Sequence, residues 1–299
     1  MRSHRDVTQA KGGPLLAELP YDVLAEGEFP TDRVAVTWSD QSGPTTPDLE
    51  ARIEAVWQQR LVDAQRTGAI LFDGPLVRLI DHRLDDDRLH LRVGPTTYRE
   101  FVGTNLYGPD PSGVERFGLD RFANPLGTTM ALVTADGFII YGRRSEQVVY
   151  HAGYVHTIGG ALEPGDRTAD GDVDVFSSVV REVGEELGLA ADDLTDVVCT
   201  GLIRDHEIHQ PELLFDGQCR LDRQEVLARW QRAEGRAEHV GIVCLPDQPD
   251  QVVPFVASAA PIAPVAVAAL MLHGRRRWGP TWCQATSQRL RGLLDGRSG

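Results

Sequence analysis

Lysine is almost missing from this chain: Lys11 is the only one in 299 residues. That excludes a Schiff-base lysine or a phosphate-loop lysine in the body of the protein. Positive charge in general is short, 30 Lys and Arg against 44 Asp and Glu, for a net charge of −14. Such a balance argues against general binding to DNA, RNA or an anionic membrane. Cysteine is scarce too. Cys199, Cys219, Cys244 and Cys283 show no C-x-x-C spacing, so they read as free thiols of a cytosolic protein, with no disulfide framework and no zinc site. No apolar run approaches the ~20 residues of a membrane-spanning helix, and no charged-then-apolar leader opens the chain. The expectation is a soluble, cytoplasmic protein. With 41% hydrophobic residues it can bury a sizeable core in one or two domains.

What is present is concentrated between Gly159 and Leu189. Phe176, Val179, Val180, Val183 and Leu187 recur at helical period and define one apolar face. Asp172 or Asp174 can cap the start of that helix, and Gly188 supplies a left-handed stop. Glu182, Glu185 and Glu186 share a second side, centred about 120° from the apolar one at 3.6 residues per turn. The helix can therefore pack on a core while presenting three carboxylates to a cleft. Carboxylates this close repel, and a hard divalent cation would neutralise them. The bland reading of the same triplet is a solvated helix face.

Around this helix the chain alternates strands and helices. Arg33–Trp38 reads as a strand, and Thr46-Pro47 opens a helix carrying Leu49, Ile53, Trp57 and Leu61 to a stop near Gly68. Ile70–Leu84 and Leu89–Val93 are strand-like runs turned by Asp85–Asp87. A short aromatic and polar segment, Thr97–Asn105, precedes a loop that ends at Asn124–Gly127, where we place a domain boundary. Met130–Thr134 and Phe138–Tyr141 form a hairpin with Asp136-Gly137 at its turn. Val197–Arg204, Leu213–Leu221 and His239–Leu245 are strands, residues 222–234 a polar helix, and Ala263–His273 a core helix. The expected division is a polar tail at 1–13, an N-terminal α/β domain at 14–126 and a main domain at 127–295, with a disordered tail beyond Asp295.

The segment Gly160–Asp166 followed by Arg181-Glu182-Val183-Gly184-Glu185-Glu186-Leu187-Gly188-Leu189 resembles the box of the Nudix hydrolases. Two departures stand out. The first acid is Asp166 where the family has Glu, and the spacer Arg167–Val180 is fourteen residues long where the family has seven. The extra residues, Thr168–Asp174, read as a bulging loop that could be removed at little cost. Thr97–Asn105, Asn124–Gly127, Thr134–Phe138, Arg143–Ser145 and Phe176–Val179 further resemble the UDP-glucose diphosphatase branch of that family. The resemblance runs from roughly Glu50 to Leu245. It implies an α/β/α sandwich around a mixed sheet and cleavage of UDP-glucose or UDP-galactose to UMP and a sugar 1-phosphate, dependent on Mg²⁺ with Mn²⁺ as substitute. It also implies that Glu182, Glu185, Glu186 and the Gly160 carbonyl hold the metal, while Arg181 and Asp166 pair as structural support. Other readings are an ADP-ribose or related diphosphatase and a non-catalytic nucleotide-sugar binder.

Outside the helix the candidates each have two readings. Glu238, just before a strand, is a further metal or base carboxylate, or a solvated loop glutamate. Glu207 and Glu212 are its rivals. Arg144 is a phosphate clamp or the partner of Glu146. Tyr98, Arg99 and Asn105 offer stacking, charge and amide hydrogen bonds suited to uridine, although Tyr98 and Phe101 could be core, Asn105 a turn cap and Arg99 a surface ion pair. His206 and His209 lack a third ligand and read as loop histidines. The partner is a small nucleotide sugar, and the oligomeric state stays open.

Overall fold

The computed structural model describes residues 18–67, 71–107, 114, 116–146, 148 and 150–295. Both expected tails lie outside them. The chain runs through β1 (Tyr21–Phe29), β2 (Val34–Trp38), α1 (Pro47–Thr67), β3 (Pro75–Asp85) and β4 (Arg88–Thr97). Asp86 and Asp87, both at positive φ, turn β3 into β4, as aspartate can. A short helix, α2 (Tyr98–Phe101), is capped by Thr97 in a reciprocal exchange with Glu100. Then come β5 (Gly127–Val133), β6 (Phe138–Arg144), β7 (Val155–His156), β8 (Ile158–Ala161) and the glutamate-bearing α3 (Val175–Leu187). The chain ends with β9 (Leu194–Asp205), β10 (Pro211–Cys219), α4 (Arg223–Trp230), β11 (His239–Pro246), α5 (Val252–Ser258), α6 (Pro264–Trp278) and α7 (Pro280–Asp295).

The large sheet has the order β1-β9-β10-β5-β6-β11, with β8 beside β5 and β7 beside β6. β10 and β5 run parallel and the other pairs antiparallel. Every residue of β5 is buried, because this strand is covered on both faces. Its side chains alternate: Met130 and Leu132 join Val179 and Val183 of α3, whereas Ala131 and Val133 join Ala266 and Leu270 of α6. The result is the expected α/β/α sandwich around a mixed sheet.

A second sheet, β2-β4-β3, sends Val36, Leu79, Leu91 and Val93 into the same core as α3. The expected division at residue 127 coincides with the start of β5. The segment before it nevertheless contributes β1 to the large sheet, so its packing is shared between the two sheets. β1 carries no sequence signal. Tyr21, Ala25 and Phe29 are buried at a spacing of four, because two register shifts against β9 break the alternation of a regular strand. α5 and α7 lie outside the elements expected from the sequence. Among the described residues, no helix is long and apolar enough to cross a membrane.

Candidate functional site

Asp174, one of the two expected caps, starts α3: its Oδ1 accepts from the N–H groups of Phe176 and Ser177 at 3.1 and 3.0 Å. Gly188 stops the helix at φ 70°. Between them Val179, Val183 and Leu187 are fully buried and hold one side of the helix on the large sheet. That seating aims Glu182 and Glu186 at β8. Glu182 lies directly over Gly160, where a side chain's Cβ would stand 2.5 Å from its carboxylate. Glycine at 160 is therefore a condition of the close approach. Gly159 has φ 154°, and a Cβ there would meet the Thr128 carbonyl at 2.1 Å. Its N–H donates to Glu186 Oε1 at 3.2 Å.

The carboxylates crowd one another. Burial, and then the charges of Glu186, Glu185 and Glu238, push the Glu182 carboxyl up to about 7 against the pull of Arg181. Glu238, at the end of the 3-10 turn Glu234–Glu238, is also raised, first by burial and then by Glu186, with Arg144 opposing. That turn packs on the last turn of α3, where a Cβ at Gly235 would touch Glu185 and Glu186 backbone. Glu238 is itself exposed to solvent, yet it lies near enough to the box for the charge of Glu186 to reach it. Glu185 is the most exposed of the three helix glutamates.

Arg181 joins Asp166 at 3.3 Å, Glu182 at 2.9 Å and Glu185 at 3.1 Å. The shorter Asp166 therefore still reaches its arginine. Asp166 also accepts from Glu163 N–H at 2.9 Å and Ser178 Oγ–H at 3.2 Å. Among the described residues, no three His, Cys, Asp or Glu side chains are already drawn into a ligand cage. Arg181 takes the charge of Glu182 and Glu185. The donor set is nonetheless all oxygen, crowded and incompletely neutralised, and half buried to buried. It fits a hard divalent cation better than any softer ion.

Beside the box runs a wall built from both parts of the chain. Tyr98 meets Phe101 edge-on at 6.1 Å, and Phe101 meets Tyr150 at 5.9 Å. This cluster includes Ala161, the residue after Gly160. Tyr98 is partly buried at the edge of this cluster, and burial raises its hydroxyl pKa. Arg144 is buried at 8% exposure, and its guanidinium lies 5.0 Å over Tyr150. Its Nε has no hydrogen-bond partner among the described residues. The charge of this guanidinium reaches the carboxylates of Glu238 and Glu212, and a planar fork of this kind suits an anion.

Two expected uridine contacts are corrected. Asn105 is fully buried and saturated: its Nδ2 donates to Ile208 O at 3.0 Å and Asn124 Oδ1 at 3.3 Å, and its Oδ1 accepts from Asn124 N–H at 2.9 Å. It clasps the loop before β5 to the β9–β10 loop and has no free amide to offer. Arg99 is spent on Glu54 at 2.9 Å, with Glu50 and Asp73 at 3.9 and 3.8 Å. It ties α2 to α1. Of the rivals to Glu238, Glu207 pairs with His151 at 3.3 Å and is lowered by it. Glu212 is buried against Gly127 and raised well above an ordinary glutamate, by desolvation and by Asp205. His206 pairs with Asp22 at 2.9 Å, and His209 sits in the same loop at φ 53°.

Two residues at the site lie outside the candidates expected from the sequence. Tyr150 lies in a segment without periodicity and gave no signal. His239, which follows Glu238 and points inward from the first position of β11, places Nε2 2.7 Å from Glu186 Oε2.

No family model matches the chain. It is 30% identical over 261 residues to a human protein named uridine diphosphate glucose pyrophosphatase NUDT22, covering 79% of this chain and 84% of that one. It is 29% identical over 222 residues to Nudix hydrolase 9 of Arabidopsis thaliana, covering 63% and 69%. A solved Nudix hydrolase from Nitrosomonas europaea overlaps 52% of this chain and 92% of its own, at 16% identity and a TM-score of 0.34.

Proposed function

The chain belongs to the Nudix hydrolases, enzymes that act on a diphosphate, and from that premise we propose that its substrate is a UDP-sugar, UDP-glucose or UDP-galactose, cleaved with bound Mg²⁺ to UMP and the sugar 1-phosphate. The observation that carries the reading is the placing of Glu182 over Gly160 and of Glu186 on the Gly159 N–H, in a crowd of like charges that with burial drives Glu182 to about 7. The name of the human relative, similar over 84% of its length, supports the choice of sugar nucleotide. Four free cysteines, two of them buried, suit a cytoplasmic setting.

Glu182, Glu186, Glu185 and the Gly160 carbonyl would hold the ion. When bound, Mg²⁺, or Mn²⁺ in its place, supplies positive charge to the diphosphate oxygens and favours deprotonation of water. The rest is done by the chain. Glu238, whose raised carboxyl stands nearer neutrality than an ordinary glutamate, accepts the proton of the attacking water. Arg144 binds a phosphate oxygen through the outer nitrogens of its guanidinium. Tyr98 and Tyr150 flank the nucleotide. Water adds to one phosphorus as the bridging P–O bond breaks, and attack at either phosphorus yields the same two products.

The test is product analysis with Mg²⁺ and a panel of UDP-glucose, UDP-galactose, ADP-glucose and ADP-ribose. UMP and sugar 1-phosphate should appear fastest from the UDP-sugars. Preferred cleavage of ADP-ribose would sink the substrate assignment.

A further inference from the structure

His239 is almost fully buried, at 1% exposure. Its Nε2 lies 2.7 Å from Glu186 Oε2, while Glu186 Oε1 accepts from the Gly159 N–H at 3.2 Å. Both oxygens of this one carboxylate are thus tied from outside α3, one by β8 and one by β11. Each oxygen keeps a further lone pair directed elsewhere. The other ring nitrogen, Nδ1, has no partner. A proton on Nε2, donated to the carboxylate, therefore satisfies the contact and leaves no N–H stranded at Nδ1.

Room for the ring is made on purpose by Gly142 of β6, where a Cβ would stand 2.2 Å from Nδ1. Gly142 and Ile242 are register partners, and His239 opposes Arg144 after a bulge between His239 and Gly241. The bulge turns the first residue of β11 inward. The backbone there is pinned as well, since Arg236 Nη1–H donates to His239 O at 2.7 Å.

We propose that His239 is a positioning residue: it fixes the rotation of the Glu186 carboxylate so that its free lone pairs are preset for the divalent cation. The proposal rests on the metal site of the preceding reading. Partners of this kind orient a ligand before the ion arrives, and losing one typically weakens metal affinity by ~10–100-fold. A buried pair that served only packing would be as well served by an apolar side chain.

The experiment measures Mn²⁺ binding directly, by electron paramagnetic resonance of free Mn²⁺, on the full chain without substrate. His239→Leu removes the donor at similar volume, and His239→Gln places an amide N–H near the position of Nε2. The leucine variant should bind Mn²⁺ at least ~10-fold more weakly than wild type, and the glutamine variant should recover most of that loss. Thermal melting of each variant shows that it is folded. Should the leucine variant not fold, Gly142→Ala displaces the ring while keeping the imidazole, and should weaken Mn²⁺ binding likewise. Wild-type affinity in the leucine variant, or in its stand-in, overturns the proposal. Absence of Mn²⁺ binding in wild type overturns the underlying metal reading, a separate result.

Discussion

Glu182 and Glu186 stand one helical turn apart and reach the neighbouring glycines Gly160 and Gly159 of β8, yet their surroundings differ. Glu186 is held at both oxygens by protein donors, whereas Glu182 meets only Arg181 and a crowd of like charges. Replacing either with glutamine keeps the shape and removes a charge from the ligand set. Turnover of a UDP-sugar in saturating Mg²⁺ should fall by roughly 100-fold or more, ~3 kcal/mol of transition-state stabilisation. Near-normal rates in both variants would remove this metal site from consideration. Arg144 gives a different signature. Among the described residues its Nε has no hydrogen-bond partner, and the Tyr150 ring lies beneath the guanidinium. Arg144→Lys keeps the charge but loses the planar fork, so kcat/KM should fall by ~10-fold or more. A kinetically silent lysine variant would return Arg144 to a packing role.

The insertion into the box shows how an element tolerates extra chain. Arg167 and Val173 pair as an isolated antiparallel bridge. Thr168 N–H donates to Asp172 O at 2.8 Å, and Asp174 N–H donates to Asp166 O at 3.0 Å. The loop leaves and returns at one place, which is why Asp166 still reaches Arg181 despite the doubled spacer. The removable part is shorter than the sequence suggests. Val173 is buried at 5% exposure, and Asp174 is the cap of α3. Replacing Thr168–Asp172 by Asn-Gly, a two-residue turn that suits the bridged pair, should leave the melting temperature nearly unchanged. Asp174→Ala should cost about 1 kcal/mol. A larger loss from the loop exchange than from the cap variant would show that the loop has a packing role of its own. The helix and its stop were legible because period, cap and left-handed glycine all agree. The inner edge of the insertion was not, since a lone valine among polar residues carries no periodicity.

At the scale of the molecule, the parts that escaped the sequence are those made by long-range contact. β1 shows no alternation because its bulges follow β9, and Asn105 looked like a ligand contact because an amide's partners 19 and 103 residues away cannot be read locally. The same holds for the network that joins the large sheet to α6. His273 is buried between Asp216 of β10 and Asp247 after β11, at 2.9 Å from each. Arg276 braces Asp216 at 3.0 Å, and Arg277 approaches Asp247 at 3.7 Å. Burial alone would depress this imidazole, but the hydrogen bonds and charges of the two aspartates prevail and lift it to about 9 from 6.5. The folded state therefore binds the His273 proton more tightly than the unfolded chain does. Its contribution is fully present below about pH 6.5 and is lost as pH rises through about 9. At ~1.4 kcal/mol per unit the shift corresponds to an order of 3 kcal/mol. His273→Gln should accordingly melt below wild type at pH 6, and the gap should shrink steadily between pH 7 and 9.5. Melting curves of the two proteins across that range decide it: a gap that stays constant would mean that His273 stabilises the fold by packing and hydrogen bonding alone, with no charge on its ring.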